Sequence, residues 1–144
     1  MVPVVDALHG VLEEFRRTWG PARAVAAPQI GVMKRLVYMH IDKPTVFINP
    51  VLTDLSEEMV TLWDDCMSFP ELLVRVRRHR RCTITWRDLQ WEEHRAELDE
   101  LSELLQHEVD HLDGVLAISR AVDDHSIILR TERGFVQGPV VNDR

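Results

Sequence analysis

The sequence predicts an α+β fold, in which antiparallel β-sheets pack around a central helix that carries an H-E-x-x-H motif, with a further helix at the N terminus. Three observations support this class. Apolar residues recur at helical spacing in two separate segments of the chain. Short runs rich in β-branched and aromatic residues lie between these segments. Two of the runs alternate between apolar and polar residues, which is typical of strands with one solvated face and therefore of antiparallel sheets.

The first helix is predicted from Val4 to Trp19. Its apolar residues follow a three-and-four spacing that forms one stripe along the helix, at Val4, Leu8, Val11, Leu12, Phe15 and Trp19. Gly20-Pro21 ends this pattern.

Five strands are predicted, at Leu36 to Met39, Thr45 to Ile48, Met59 to Trp63, Leu72 to Val76 and Cys82 to Trp86. In the last two, Val or Ile alternates with Arg or Thr. We therefore interpret the arginine-rich run from Arg75 to Arg81 as a solvated face rather than as an anion site. Cys82 is expected to be a small buried apolar residue.

The second helix is predicted to begin near Asp99 and to end at Asp113-Gly114, where the glycine is a suitable cap. An apolar stretch follows at Ile127 to Leu129, and we expect the tail from about residue 130 to be loose. No repeat or linker interrupts the chain, so a single domain over residues 1–144 is expected.

Composition excludes several classes of partner. The 24 acidic residues outnumber the 17 basic residues, and the formal net charge of −7 argues against nucleic-acid binding. The apolar runs are much shorter than a membrane span requires, so no membrane partner is expected. Two cysteines at unrelated positions, without a secretory signal, indicate a reducing, cytoplasmic location.

The segment from His107 to His111 reads H-E-V-D-H and fits H-E-x-x-H. On a helix, the two imidazoles lie one turn apart on one face, where both can bind the same divalent metal ion. Glu108 projects beside that face and can take a proton from water and return it to a leaving group. The alternative is a chance pair of surface histidines, but the surrounding residues are strongly apolar. The motif therefore predicts a metal hydrolase.

The third metal ligand distinguishes this chain from the zinc peptidases, which take theirs from farther down the sequence. Downstream of His111 the only histidine is His125, and no glutamate stands in a further helix. Upstream, the segment Asp64 to Pro70 directly follows a predicted strand, and its Cys66 can supply a thiolate, which gives a Cys-His-His set with water in the fourth position. The alternative for Cys66 is a small buried apolar residue.

Three motifs together resemble the peptide deformylase family, in order and in rough spacing. They are A-A-P-Q-I-G at Ala26 to Gly31, D-D-C-M-S at Asp64 to Ser68, and Q-H-E-V-D-H-L-D-G-V-L at Gln106 to Leu116. The resemblance extends from about Phe15 to about Arg120. It implies a metal-dependent hydrolase that removes the N-formyl group from formylmethionyl peptides of nascent proteins, and hence an N-formylated peptide as substrate.

The resemblance also implies roles for individual residues. Cys66, His107 and His111 would hold one divalent metal ion per chain, with Fe2+ as the native metal and Zn2+, Ni2+ or Co2+ able to take its place. Glu108 would transfer protons. The side-chain amide of Gln29 and the backbone N–H of Met67 would donate hydrogen bonds to the oxyanion that forms during hydrolysis.

The chain departs from the family pattern at several positions. Ala22 and Ala24 replace the two glycines of G-x-G-x-A-A-P-Q, and D-D-C-M-S replaces E-G-C-L-S. Alanine adds a methyl group beside the expected path of the substrate and resists positive φ. Asp65 brings a carboxylate close to the thiolate.

These departures leave two alternatives open. One is a deformylase-like amidase that acts on another N-formyl or small acyl-amide substrate. The other is a non-catalytic homologue that binds metal. The presence of both Gln29 and Glu108, which metal binding alone would not require, argues against the second alternative.

Overall fold

The structure is a computed structural model, and it describes residues 1–141 of the chain. The first helix, α1, spans Val2–Trp19 and ends at Gly20, whose φ of 100° requires glycine. The predicted stripe forms its buried face, and Leu8, Leu12 and Phe15 pack against the first two strands of a sheet. In residues 1–141 no helix is both long enough and apolar enough to cross a membrane.

The described chain forms eight strands in two sheets. They are β1 (Ala24–Ala26), β2 (Leu36–His40), β3 (Pro44–Thr53), β4 (Met59–Cys66), β5 (Phe69–His79), β6 (Cys82–Arg87), β7 (Glu93–Leu98) and β8 (Ile127–Leu129). One sheet has the order β1-β2-β3-β6-β7 and the other has the order β4-β5-β8. Every neighbouring pair is antiparallel. The predicted α+β class is confirmed.

All five predicted strands are present, and each is longer than predicted. The prediction missed β1 and β7, which are the two edges of the larger sheet. β1 has only three residues, too few for a strand pattern to be recognised. β7 reads E-H-R-A-E-L, in which the exposed Glu93, Arg95 and Glu97 alternate with His94, Ala96 and Leu98, so a period-two pattern is present but its inner face is only weakly apolar. Its pairing with β6 keeps it in the sheet.

The second helix, α2, spans Ser102–Leu112 and is followed by Gly114, whose φ is 76°. It contacts strands of both sheets, which places it between them. Leu104 and Leu105 pack into the core that the larger sheet forms. Unusually, the helix also buries polar side chains, namely those of Ser102, Gln106, His107, Glu108 and His111. Burial of polar groups costs free energy unless each finds a partner, and such groups concentrate at functional sites.

Two of these polar residues are structural. The side-chain Nε2 of Gln106 donates to the backbone oxygen of His79 at 2.7 Å. The Oε1 of Gln106 accepts from the backbone nitrogen of His79 at 3.0 Å. The hydroxyl of Ser102 donates to the same His79 oxygen at 2.9 Å. These bonds fix α2 against the end of β5. The remaining buried polar residues are His107, Glu108 and His111.

The chain after β8 forms a short 3-10 helix, Arg130–Phe135. Beyond it the segment hydrogen-bonds with Trp63 of β4, whose indole N–H donates to the oxygen of Gln137 at 3.0 Å. The backbone nitrogen of Trp63 donates to the oxygen of Pro139 at 2.8 Å. The predicted loose tail also includes residues 142–144, which lie outside the described residues.

Candidate metal centre

Three potential metal ligands converge where β4 ends beside α2. The Nε2 atoms of His107 and His111 lie 3.0 Å apart, and the sulfur of Cys66 lies 3.3 Å from Nε2 of His111. All three side chains are buried, and their ligand atoms lie within 4.8 Å of one another. The structure thus brings together the three residues predicted as ligands. In sequence, Cys66 lies 41 residues before His107 and 45 residues before His111.

Local geometry in β4 directs Cys66 toward the helix. The register between β4 and β5 shifts between Asp64 and Cys66, and the strands then turn tightly at Met67 and Ser68. A register shift of this kind can redirect a side chain, as β-bulges do next to active sites. Here both Asp64 and Cys66 are buried on the side that faces α2.

Asp64 orients one of the histidines. Its Oδ2 lies 2.7 Å from Nδ1 of His107 and 3.0 Å from Nη2 of Arg78. Burial by itself would raise the pKa of Asp64, but these two partners outweigh it and hold that pKa at about 2. Asp64 is therefore ionised at neutral pH. A carboxylate on Nδ1 fixes the ring so that Nε2 is free for a metal ion.

Arg78 corrects the interpretation of the arginine-rich run as a solvated face. Its side chain is only 2% exposed, and it also reaches Oδ2 of Asp110 at 3.1 Å. A signal for this burial is present in the sequence. Arg78 has the same strand parity as the buried Val74 and Val76, whereas Arg77 has the opposite parity and is exposed. The prediction weighed residue type above position.

Glu108 is buried next to the three potential ligands. Among the described residues, its Oε2 has no hydrogen-bond partner although it is shielded from solvent. Burial raises the pKa of Glu108 to about 7. A buried carboxylate oxygen without a partner is costly, and such an atom commonly marks a place where water or an ion binds. Glu108 lines one cleft together with Gln29, Cys66 and Met67.

Gln29 also lines this cleft and lies in the short 3-10 helix Ala27–Ile30. Its Oε1 accepts a hydrogen bond from the backbone nitrogen of Ala26 at 2.9 Å, which fixes the orientation of the amide. Its Nε2 then points to Ser68 Oγ at 3.1 Å and to Cys66 Sγ at 3.6 Å. Since His111 also contacts this sulfur, all three sequence motifs meet at the cysteine.

The departures at Ala22 and Ala24 cause no backbone strain. Neither residue has positive φ, and both methyl groups are buried. The expected conflict between alanine and positive φ therefore does not arise. Both residues do line the cleft.

The Asp65 carboxylate is neutralised from a distant part of the chain. Its Oδ2 lies 2.9 Å from Nη2 of Arg130, and both side chains are largely buried. Arg130 also donates from Nε to the oxygen of Pro70 at 2.7 Å. The charge that Asp65 adds near Cys66 is thus balanced by an arginine in the 3-10 helix after β8.

This pairing predicts that the effects of substitutions at Arg130 and Asp65 on the free energy of unfolding depend strongly on each other. Arg130→Met should lower the free energy of unfolding by about 3 kcal/mol, because it takes a buried positive charge away from the buried Asp65 carboxylate. Adding Asp65→Asn should recover much of that loss. Urea unfolding of the parent, both single variants and the double variant measures the coupling. Additive effects would show that the ion pair does not contribute to stability.

The residues present fit a metal ion. A thiolate and two imidazoles are a common donor set for zinc and related metals. Burial lowers the pKa of His111 to about 4, which keeps this imidazole neutral as a ligand must be. For His107, burial opposes protonation, but the charge of Asp64 outweighs burial and raises the pKa. Asp64 thus favours a positive charge at this ring, which a metal ion on Nε2 would also supply.

The fold and this site define the class of the protein, a metal-dependent hydrolase with an H-E-x-x-H helix between antiparallel sheets. Residues 2–126 match the family model for polypeptide deformylases, and the chain belongs to that family. Members of the family use a single catalytic metal ion.

Curated relatives and solved structures agree with this assignment. The chain is 36% identical to peptide deformylase 2 of Gloeobacter violaceus over 140 residues, which cover 90% of this chain and 75% of the relative. It is 37% identical over 121 residues to the peptide deformylase of Natranaerobius thermophilus, which covers 81% and 78% of the two chains. The crystal structure of the Thermotoga maritima enzyme superimposes with a TM-score of 0.76 at 28% identity, covering 85% of this chain and 84% of that chain.

Proposed function

We propose that this protein hydrolyses the N-formyl group of formylmethionyl peptides, with Gln29, Cys66, Met67, His107, Glu108 and His111 as its working residues. The observation that carries the proposal is the unpartnered carboxylate oxygen of Glu108, buried beside the Cys66 and histidine cluster. A structural metal site would not need that carboxylate, whereas a hydrolytic site needs a base there.

Cys66, His107 and His111 would hold the metal ion, and we propose Fe2+ as the native one. When bound, the metal supplies Lewis-acid chemistry, which polarises the formyl carbonyl and makes water more acidic. Asp64 holds His107 in the required orientation, and Arg78 balances the charge of Asp64.

Glu108 transfers a proton from the attacking water to the amide nitrogen of the substrate. Water adds its oxygen to the formyl carbon, and Glu108 accepts the proton that this oxygen loses. Glu108 then gives the proton to the amide nitrogen as the carbon–nitrogen bond breaks, so that the products are formate and a free amino terminus. The carboxylate returns to its starting state after each turnover.

Gln29 and Met67 would stabilise the charge that develops on the formyl oxygen. The amide of Gln29 is already oriented by its bond from Ala26, so its Nε2 needs little rearrangement to donate. Fixed donors of this kind stabilise the transition state more than the substrate. We place the N–H of Met67 as the second donor, since Met67 lines the same cleft.

The substrate proposal rests on family membership together with the unstrained cleft. The related peptide deformylase of Synechococcus elongatus was solved with actinonin, at 27% identity, a TM-score of 0.70, and coverage of 85% of this chain and 69% of that chain. In this chain Ala22 and Ala24 keep ordinary backbone angles, and the charge of Asp65 is paired. Both findings weaken the case for a redirected or inactive homologue. We propose that the protein acts in the cytoplasm and that residues 1–144 form one catalytic domain.

Formate release from formyl-Met-Ala-Ser by anaerobically purified protein tests the activity, and iron content tests the ligands. The parent should release formate and hold one iron per chain. Cys66→Ala should lose both, because a direct ligand is gone. Cys82→Ala removes the other buried cysteine, which packs in the core of the larger sheet, and should keep both. Iron at full occupancy in Cys66→Ala would refute the third ligand, and an iron-loaded parent that releases no formate would refute the activity.

A further inference from the structure

A second group of potential metal ligands lies where α1 meets the end of β2. It consists of His9 and Glu13, one turn apart on the helix, and His40, the last residue of the strand. One ligand atom from each lies within 4.8 Å of the others. None of the three lines the catalytic cleft. We propose that this group is a second binding site for a divalent cation of the zinc type, distinct from the catalytic metal ion.

The histidine rings are positioned as ligands of one ion would be. Their centroids lie 5.5 Å apart. Nδ1 of His9 lies 2.7 Å from the hydroxyl of Tyr38, which is buried, so Nε2 of His9 remains for another partner. A hydrogen bond on one ring nitrogen commonly orients a histidine whose other nitrogen binds a metal.

His40 provides an independent indication. Its Nδ1 is shielded from solvent and has no hydrogen-bond partner among the described residues. Buried polar atoms without a partner are rare, and an ion is one of the groups that can satisfy them. Two imidazoles and one carboxylate are a donor set that zinc uses, with water in the remaining position. Glu13 is 40% exposed, so water can reach the site.

Arg16 has opposing effects on this site. Its guanidinium bonds Oε1 of Glu13 at 3.1 Å and the backbone oxygen of His40, which holds helix and strand together before any ion binds. Its positive charge, however, repels a dication. We therefore expect this site to bind zinc more weakly than the cysteine-containing site does.

A zinc ion bound here would crosslink α1 to β2 of the larger sheet. The helix otherwise packs through Leu8, Leu12 and Phe15, and Phe15 also lines the catalytic cleft. An ion that binds only the folded state stabilises it by mass action. When the concentration of free zinc is about a hundredfold above the dissociation constant of this site, Tm should rise by roughly 5–10 °C.

Titration of nickel-loaded protein with zinc tests the proposal, because nickel at the catalytic site and added zinc are counted separately. The parent should bind one zinc per chain with nickel retained. His40→Ala and Glu13→Gln should each weaken zinc binding by at least about tenfold, since even residues that only orient a ligand contribute that much. Glu13→Gln removes a half-exposed charge and should preserve the fold. Circular dichroism and retained nickel check both variants.

His94→Ala is the matched control. His94 belongs to another group of potential ligands, with Asp88 and Glu92, and there Asp88 is already engaged by backbone N–H groups of its own turn. This variant should bind zinc as the parent does. Cobalt in place of zinc adds a spectroscopic check, since a site without sulfur gives no thiolate charge-transfer band. Absence of added zinc in the parent, or unchanged binding in His40→Ala, would overturn the proposal.

Discussion

Glu108→Gln should lower kcat for deformylation by about 10²–10⁴ while iron content and Tm remain close to those of the parent. The amide has nearly the shape of the carboxylate and can still hydrogen-bond water. It cannot accept a proton, however, so the transfer from water to the amide nitrogen fails. Formate release at saturating formyl-Met-Ala-Ser measures kcat, and metal analysis of the same sample shows whether the site is still loaded.

Glu103→Gln provides a control from the same helix. Glu103 is also buried, and burial raises its pKa although Arg23 lies 2.7 Å from it. It does not line the catalytic cleft. This variant removes a buried carboxylate from α2 without touching the proposed base, and its kcat should stay within a few-fold of the parent. If Glu108→Gln retained turnover at that level, another group would have to be the base.

Arg78→Met should produce the largest loss of stability. It removes a buried guanidinium that lies between the carboxylates of Asp64 and Asp110, at 3.0 Å and 3.1 Å. Breaking a buried ion pair by removal of one partner typically costs about 3–5 kcal/mol. For a chain of this length, we expect Tm to fall by roughly 10 °C. Because Asp64 orients His107, iron affinity should also fall, by about ten- to a hundredfold.

Arg77→Met is the neighbouring control. Arg77 precedes Arg78 in β5 and lies on the opposite, exposed face of the strand. Its replacement should change the free energy of unfolding by no more than about 0.5 kcal/mol. Thermal unfolding and equilibrium dialysis of iron compare the two variants directly. If both variants lost stability and iron affinity to a similar extent, the effect would come from positive charge in β5 in general and not from the buried network around Arg78.

Features that depend on residues close in sequence were predictable. The helical spacing of apolar residues predicts α1, and the four-residue separation of His107 and His111 predicts that both face one side of α2. The alternation in β5 predicts that Val74 and Val76 lie on one buried face, whereas in β6 Thr83 is buried together with Cys82 and Ile84. Each of these patterns repeats within a few residues because helix and strand have fixed periods.

The partners of those residues were decided by tertiary structure. Asp64 lies 43 residues from His107 in sequence, and Arg130 lies 65 residues from Asp65. No local period relates such pairs. Buried charges must nevertheless be paired, so the fold that buries Asp65 also has to bring an arginine to it.

By itself, the sequence determined the helix that bears H-E-x-x-H, the family, and the six residues proposed to carry out hydrolysis. Only the tertiary structure decided that Arg78 is buried between two aspartates, that Arg130 neutralises Asp65, and that His40 joins His9 and Glu13. The physical reason is that the residues of a ligand or catalytic motif are only a few positions apart in sequence, and the period of the helix or strand places them on the same face. Charge compensation depends on distances between elements, which exist only after the sheets and α2 have packed together.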